Sequence, residues 1–164
     1  MINKTMQDAM NEQINKEMFS SYLYLSMAAY FEGRNLPGFA NWMRLQAEEE
    51  REHAMKFYDF ILERGGRVEL KAIEAPKSEW GSNLEVVEEV AAHEALVTAS
   101  INSLYELALK EKDYPAQIML QWFITEQVEE ESSAAEVLAS LKMIEARETA
   151  VLQLDHKLAK RTAE

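Results

Sequence analysis

Apolar residues recur along this chain at alternating steps of three and four over four long stretches, the spacing of helices that each bury one face. The first stripe reads Met10, Ile14, Glu17, Ser21, Tyr24, Ala28, Phe31, and the second Phe39, Met43, Gln46, Glu50, His53, Phe57, Phe60. The third reads Val87, Val90, Glu94, Val97, Ile101, Leu104, Ala108, and the fourth Leu120, Phe123, Gln127, Glu130, Ala134, Val137, Leu141. The pattern predicts helices over about 5–32, 37–64, 84–110 and 115–144. A shorter amphipathic helix follows over about 145–160, with Val151, Leu154 and Leu158 on one side. Gly33 and Asn35 stop the first helix, Pro37 opens the second, Gly65 and Gly66 end it, and Asn83 is the expected N-cap of the third.

Links of about four residues join the first helix to the second and the third to the fourth, and short links make antiparallel neighbours. The crossover over 65–83 is long enough, when extended, to travel the length of a helix. Within it "RVELKAI" alternates apolar and charged residues like a short strand, with Val68 and Leu70 as its packing positions. Trp80 and this segment are expected to offer apolar surface for a two-fold contact between copies. The chain thus reads as one all-α domain over 1–164. It is a four-helix bundle of two antiparallel hairpins joined by one long crossover, plus a short fifth helix.

Every stripe is apolar at both ends and polar or acidic near its middle. Glu17 stands eighteen residues before Asn35 in the first turn, and His53 stands eighteen after it. Glu94 stands nineteen before Asp113 in the second turn, and Glu130 seventeen after it. Equal separation from a turn means equal height in an antiparallel hairpin, so these side chains meet in one layer at mid-bundle. Buried carboxylates carry an effective penalty of several kcal/mol each unless they are protonated, paired or bound to metal. No Lys or Arg lies on the four stripes, and two divalent ions would satisfy the charge. Oxygen ligands with one or two imidazoles suit iron, with manganese or zinc as further occupants.

The Glu50-x-x-His53 pair fits that layer. Residues three apart on a helix differ by about 60° in direction and about 4.5 Å in height, so both can reach one ion. Neighbouring Glu48 and Glu52 turn to solvent. Tyr24, two turns from Glu17, reads either as a core tyrosine bonded to a carboxylate or as a redox neighbour of the metals. The nine Met are core filler, and His93 and His156 lie off the seams as surface residues.

Composition narrows the classes. The net charge of −12, with 25 Glu and 4 Asp among the acids, repels nucleic acid and anionic membranes and attracts cations. No apolar run approaches a membrane span, and "MINKTMQDAMNEQ" contains no apolar signal core. With no cysteine, disulfides, thiolate metal sites and cysteine nucleophiles are excluded, and a cytoplasmic location is expected.

The chain resembles the ferritin family, specifically the non-haem ferritins of bacteria and archaea, over essentially its whole length. The resemblance rests on "NKEMFSSYLYLSMAAYF", "EEEREHAMKFYDFILERGGRVEL", "HEALVTASI" and "WFITEQVEEE" in combination. It implies an iron-storage ferroxidase that oxidises Fe(II) with O₂ at a di-iron centre. Glu17, Glu50 and His53 would hold one iron. Glu50 would bridge to a second iron held by Glu94 and Glu130, with Gln127 in or beside that shell and Tyr24 next to the centre. A third site would fall on Glu49, Glu126, Glu129 and Glu130. The family assembles as a hollow shell, usually of twenty-four subunits, with the fifth helix at four-fold contacts.

The departures are informative. Gln127-x-x-Glu130 replaces a second Glu-x-x-His, which argues against bacterioferritin, and Glu52 stands where a haem-ligating methionine is expected, so no haem is expected. Rubrerythrin would need cysteines. The start of the fourth helix, "YPAQIMLQW", lacks the acids that line three-fold channels in animal ferritins. A non-catalytic bundle in which metal only stabilises a scaffold is the alternative function.

Overall fold

The computed structural model describes residues 1–144 and 147–162. Five helices follow in order: α1 Lys4–Gly33, α2 Pro37–Glu63, α3 Asn83–Lys110, α4 Tyr114–Ile144 and α5 Glu148–Leu158. The four long helices match the periodic stretches within a residue or two at each end. Glu145, the expected start of the short helix, lies outside the described residues.

Local chemistry explains the boundaries. The Asn3 carboxamide oxygen accepts the Met6 N–H at 2.8 Å and caps α1. The N-cap of α3 is Ser82, whose hydroxyl accepts from Glu85 N–H, so Asn83 is the first helical residue rather than the cap. Past the end of α2, Gly65 takes the left-handed conformation, with φ of 69°, that closes a helix C-terminus. Leu36 has no side chain with which to cap α2. Asp155 of α5 does so instead, its Oδ1 accepting the Phe39 N–H at 2.9 Å. A Cβ on Gly38 would come within 1.7 Å of the Asp155 carbonyl oxygen, so only glycine permits α5 to dock there.

The apolar ends of the stripes form two separate clusters. One gathers Tyr24, Phe31, Phe39, Trp42, Met43, Val87 and Leu141; the other gathers Met6, Met10, Phe57, Ile61, Ile101, Leu120 and Phe123. Each fully buried large side chain contributes about 1.5–3 kcal/mol, which lets the bundle carry a costly polar layer between the clusters. Met6, Met10, Met27 and Met43 serve as core filler as expected, whereas Met1, Met55 and Met143 are exposed. Beside the second cluster, half-buried Arg64 at the end of α2 pairs with buried Asp113 of the α3–α4 turn at 2.9 Å.

The crossover departs from its sequence pattern. Residues 67–77 form no strand, and Leu70 is 72% exposed, although Val68 packs against the second cluster. A strand needs a neighbouring strand, and among the described residues none exists. Polar side chains of α1 take that role. Asn11 accepts Glu69 N–H at 2.8 Å and donates to the Arg67 carbonyl at 3.0 Å, and Asn15 donates to the Ala72 carbonyl at 3.1 Å. Ser26 donates to the Lys77 carbonyl at 2.6 Å. The segment lies along α1, its backbone groups satisfied by side chains. Trp80 is buried and not a surface residue: its indole N–H donates to Glu89 at 2.7 Å and its ring meets Tyr30 edge-on. Leu70 and Ile73 are the crossover's large exposed apolar residues.

Candidate metal centre

Between the two apolar clusters lie Glu17 from α1, Glu50 and His53 from α2, Glu94 from α3, and Gln127 and Glu130 from α4, all buried. Their common height follows from the matched distances to the two turns. Glu17, Glu50 and His53 each bring one potential ligand atom within 4.8 Å of the other two. His53, Glu126 and Glu130 form a second group by the same measure. His53 therefore stands where both groups meet.

Hydrogen bonding divides these side chains into two kinds. On the α3–α4 side the carboxylates are held. Glu94 accepts from the Tyr24 phenol and from Gln127 Nε2 at 3.3 Å, while Gln127 also donates to Thr98 at 3.2 Å. Glu130 accepts from Gln46 Nε2 at 2.7 Å. On the α1–α2 side the ligand atoms are bare. Glu17 Oε2, both oxygens of Glu50 and His53 Nδ1 are buried and accept from no amide, hydroxyl or ammonium donor; they face one another, and a proton shared between the Glu17 and Glu50 carboxyls is the one link among them. His53 Nδ1 lies 3.5 Å from Glu50 Oε2, too far for a good hydrogen bond. Glu17 has a single donor, Gln13 Nε2, at 2.8 Å on its Oε1.

The electrostatics agree with that division. Burial pushes the Glu17 and Glu50 carboxyls well above the ordinary carboxylate range, and charges on neighbouring glutamates push them further. Glu94 is raised by burial but restrained by the hydrogen bonds from Tyr24 and Gln127. Glu130 is pushed up to about 7 by burial and the Glu94 charge, against the pull of Gln46. The Tyr24 phenol is driven well up by burial and by Glu94, so it remains a proton donor. Among the described residues no Lys or Arg forms an ion pair with this layer. Protons or cations must supply its missing positive charge. Orphaned carboxylate oxygens beside an imidazole are a donor set for a divalent transition-metal ion.

The remaining expected residues fall as follows. Glu49, Glu126, Glu129 and Glu130 line one open pocket of about 400 Å³ on the α2–α4 side, together with Ser133, Glu136 and Arg161. Glu129 is exposed, and Glu49 and Glu126 are half-buried. Tyr24 is fully buried and bonded to a carboxylate. Glu48, Glu52 and His156 are exposed, as expected. His93 is not a surface residue. It is half-buried, 2.8 Å from Ser20 Oγ and edge-on to Tyr24 at 5.7 Å between ring centres, and burial lowers its pKa.

Several neighbours escape a search for ligands alone. Gln13 and Gln46 each stand four residues before an inward glutamate, on the same helix face, which was a readable signal. Trp122 meets the His53 ring edge-on at 5.5 Å, and Lys56 covers its ring at 4.4 Å. Arg161 reaches the acid pocket from beyond α5 and donates to Ser133 at 2.9 Å.

Comparison with known proteins identifies the family of this fold. A sequence model described as the ferritin-like domain matches residues 7–144. A protein named bacterial non-heme ferritin from Bacteroides fragilis strain 638R is 41% identical over 161 residues, covering 98% of this chain and all of that one. Its counterpart from Staphylococcus haemolyticus is 45% identical over 133 residues, covering 81% of this chain and 80% of the relative. Among solved structures, an engineered closed form of Archaeoglobus fulgidus ferritin superposes with a TM-score of 0.98 at 49% identity over the whole of both chains. An open pore ferritin from the same archaeon gives 0.98 at 50% identity, over 99% of this chain and all of that one.

Proposed function

The chain belongs to the ferritin family, the iron-storage family, and on that premise we propose that it is a ferroxidase as well as a store. Two Fe(II) ions bind in the mid-bundle layer as substrate, one on Glu17, Glu50 and His53, the other on Glu94 and Glu130 with Gln127 beside it. Each ion gives up one electron, so the pair reduces one O₂ by two electrons, and two protons from solvent complete H₂O₂. The resulting Fe(III) leaves through Glu49, Glu126 and Glu129 on the α2–α4 side, for mineral stored inside a self-assembled shell of twenty-four subunits. This reading includes no haem and places the protein in the cytoplasm, in keeping with its lack of cysteine.

The observation that carries the reading is Glu50. Its two oxygens are buried without a donor, and its carboxyl is raised first by burial and then by the charge of Glu94 across the bundle. A carboxylate so placed suits a bridge between two ions, one on each side. Glu17 and Glu94 supply a terminal oxygen to each, the Tyr24 phenol keeps its proton and donates a hydrogen bond to Glu94, and Trp122 and Phe123 pack edge-on against the imidazole. Bridging keeps the ions close enough to share one O₂.

Anaerobic loading followed by exposure to O₂ tests this. The expected result is a burst of oxygen uptake that saturates at two Fe(II) per chain and is lost in Glu50→Ala. Metal binding without oxygen uptake would favour the scaffold alternative.

A further inference from the structure

Between α1 and α3, beneath Ala72 and Glu74 of the crossover, lies a groove of about 470 Å³. It opens on the opposite side of the bundle from the acid pocket, and Lys16, Ser100 and Gln13 all line it. These three form a chain of hydrogen bonds that ends on the metal layer. Lys16 Nζ donates to Ser100 Oγ at 2.7 Å, Ser100 Oγ donates to Gln13 Oε1 at 2.6 Å, and Gln13 Nε2 donates to Glu17 Oε1 at 2.8 Å.

The chemistry of the links sets their direction. An ammonium group has only donors, so Ser100 must accept from Lys16 and spend its one hydrogen on Gln13. With its oxygen occupied, the Gln13 amide can present only its NH₂ to Glu17. Gln13 and Glu17 are each 1% exposed, so water offers neither an alternative partner. Glu17 Oε1 is thereby taken, Oε2 accepts from no donor, and Glu17 brings a carboxylate oxygen within 4.8 Å of Glu50 and His53.

We propose that Gln13 and Ser100 are positioning residues that hold Glu17 to bind its ion through Oε2 alone, with Lys16 fixing the direction of the chain from the groove. The inference rests on the reading of Glu17 as an iron ligand. A carboxylate free to rotate can offer one oxygen or two, and a firm donor on one of them removes that choice. Partners behind metal ligands act in this way, and their loss costs about ten- to a hundredfold in metal affinity or activity. Nothing in the spacing of the ligands themselves requires this chain, because Ser100 stands on a different helix and contacts no ligand directly.

Titration of the metal-free full chain with Co²⁺ without oxygen, followed by visible absorption, gives a readout independent of oxidation. Gln13→Ala should weaken the first ion about tenfold and change the Co²⁺ spectrum as Glu17 turns to bind through both oxygens. Ser100→Ala should shift both in the same direction by less, and Ser100→Thr, which keeps the hydroxyl, should restore them. Added to Gln13→Ala, Ser100→Ala should change nothing further, because Ser100 acts only through Gln13. Parental affinity and spectrum in Gln13→Ala, or effects of the two that simply add, would overturn the proposal. Should Gln13→Ala fail to fold, Ser100→Ala at its half-buried position decides alone, and parental Co²⁺ binding there overturns it. Glu17→Ala separates the premise from the inference. If it leaves Co²⁺ binding intact, both fall; if it abolishes the first ion while Gln13→Ala is silent, only the inference falls.

Discussion

The two hairpins bring similar side chains to one layer and treat them differently. The α3–α4 hairpin presents Glu94 and Glu130 with donors already in place from Tyr24, Gln127 and Gln46. The α1–α2 hairpin presents Glu17, Glu50 and His53 with four ligand atoms bare. A buried oxygen without a donor costs about 1–3 kcal/mol, so the bare half is where folding stores its debt and where a cation relieves most of it. The held half already has donors on its carboxylates, so a cation there would relieve less of that cost.

The largest test of that contrast is Glu50. Changed to Ala, it should cost the initial oxidation rate more than about a hundredfold, since even the neighbours of ligands cost ten- to a hundredfold. Changed to Gln, it should leave the metal-free chain more stable at pH 8 by roughly 1–3 kcal/mol while removing its response to metal. A Glu50→Gln chain that melts below its parent would show that the bare half carries no strain. Next in size is the response to Zn²⁺. Saturation at a hundred times the dissociation constant should stabilise the parent by about 2.7 kcal/mol. Glu17→Ala and His53→Ala should lose most of that gain and Glu130→Ala should keep more of it. Equal losses in all three would erase the difference between the halves.

A smaller effect should appear with pH. The carboxyls of the layer are raised in the folded chain, Glu130 to about 7, against an unfolded value of 4.5. The folded state therefore binds more protons between those values, and the stability contributed by Glu130 is full below about 4.5 and lost as pH rises through about 7. Metal-free protein should melt at a lower temperature at pH 8 than at pH 5, and the gain from Zn²⁺ should be larger at pH 8. The smallest effect on first oxidation belongs to the acid pocket. Glu49, Glu126 and Glu129 changed together to Ala should leave the first burst of two irons per chain intact and slow the recovery of the centre on later additions. Unchanged behaviour over several rounds of loading would reduce these acids to surface charge.

The architecture and most of the layer were legible in the residues because both follow from periodicity. A stripe that is apolar at its ends and polar in its middle states where a helix faces and at what height. What periodicity cannot state is which neighbour a polar side chain selects. Gln46 stands one turn before Glu50, yet it bonds Glu130 across the bundle, a choice made by the distance between helices. His93, one step of about 100° from Glu94, leaves the seam but enters the α1–α3 contact instead of solvent. The alternation in "RVELKAI" cannot distinguish a strand from an extended segment tied to α1 by Asn11 and Asn15. Trp80 looked like interface surface because nothing local announced its bond to Glu89.

The cap on α2 bears on how the chain comes off the ribosome. The helix that carries Glu50 and His53 begins with peptide N–H groups that its own sequence leaves open, and the carboxylate that closes Phe39 N–H arrives 116 residues later. During synthesis, at about 5–20 residues per second, α2 therefore waits several seconds or more with an unfinished N-terminus while three further helices emerge. Its Phe39 N–H is capped only when Asp155 docks over Gly38, so a nascent chain halted before α5 has every proposed ligand of the di-iron layer yet holds two of them on a helix whose start is uncapped.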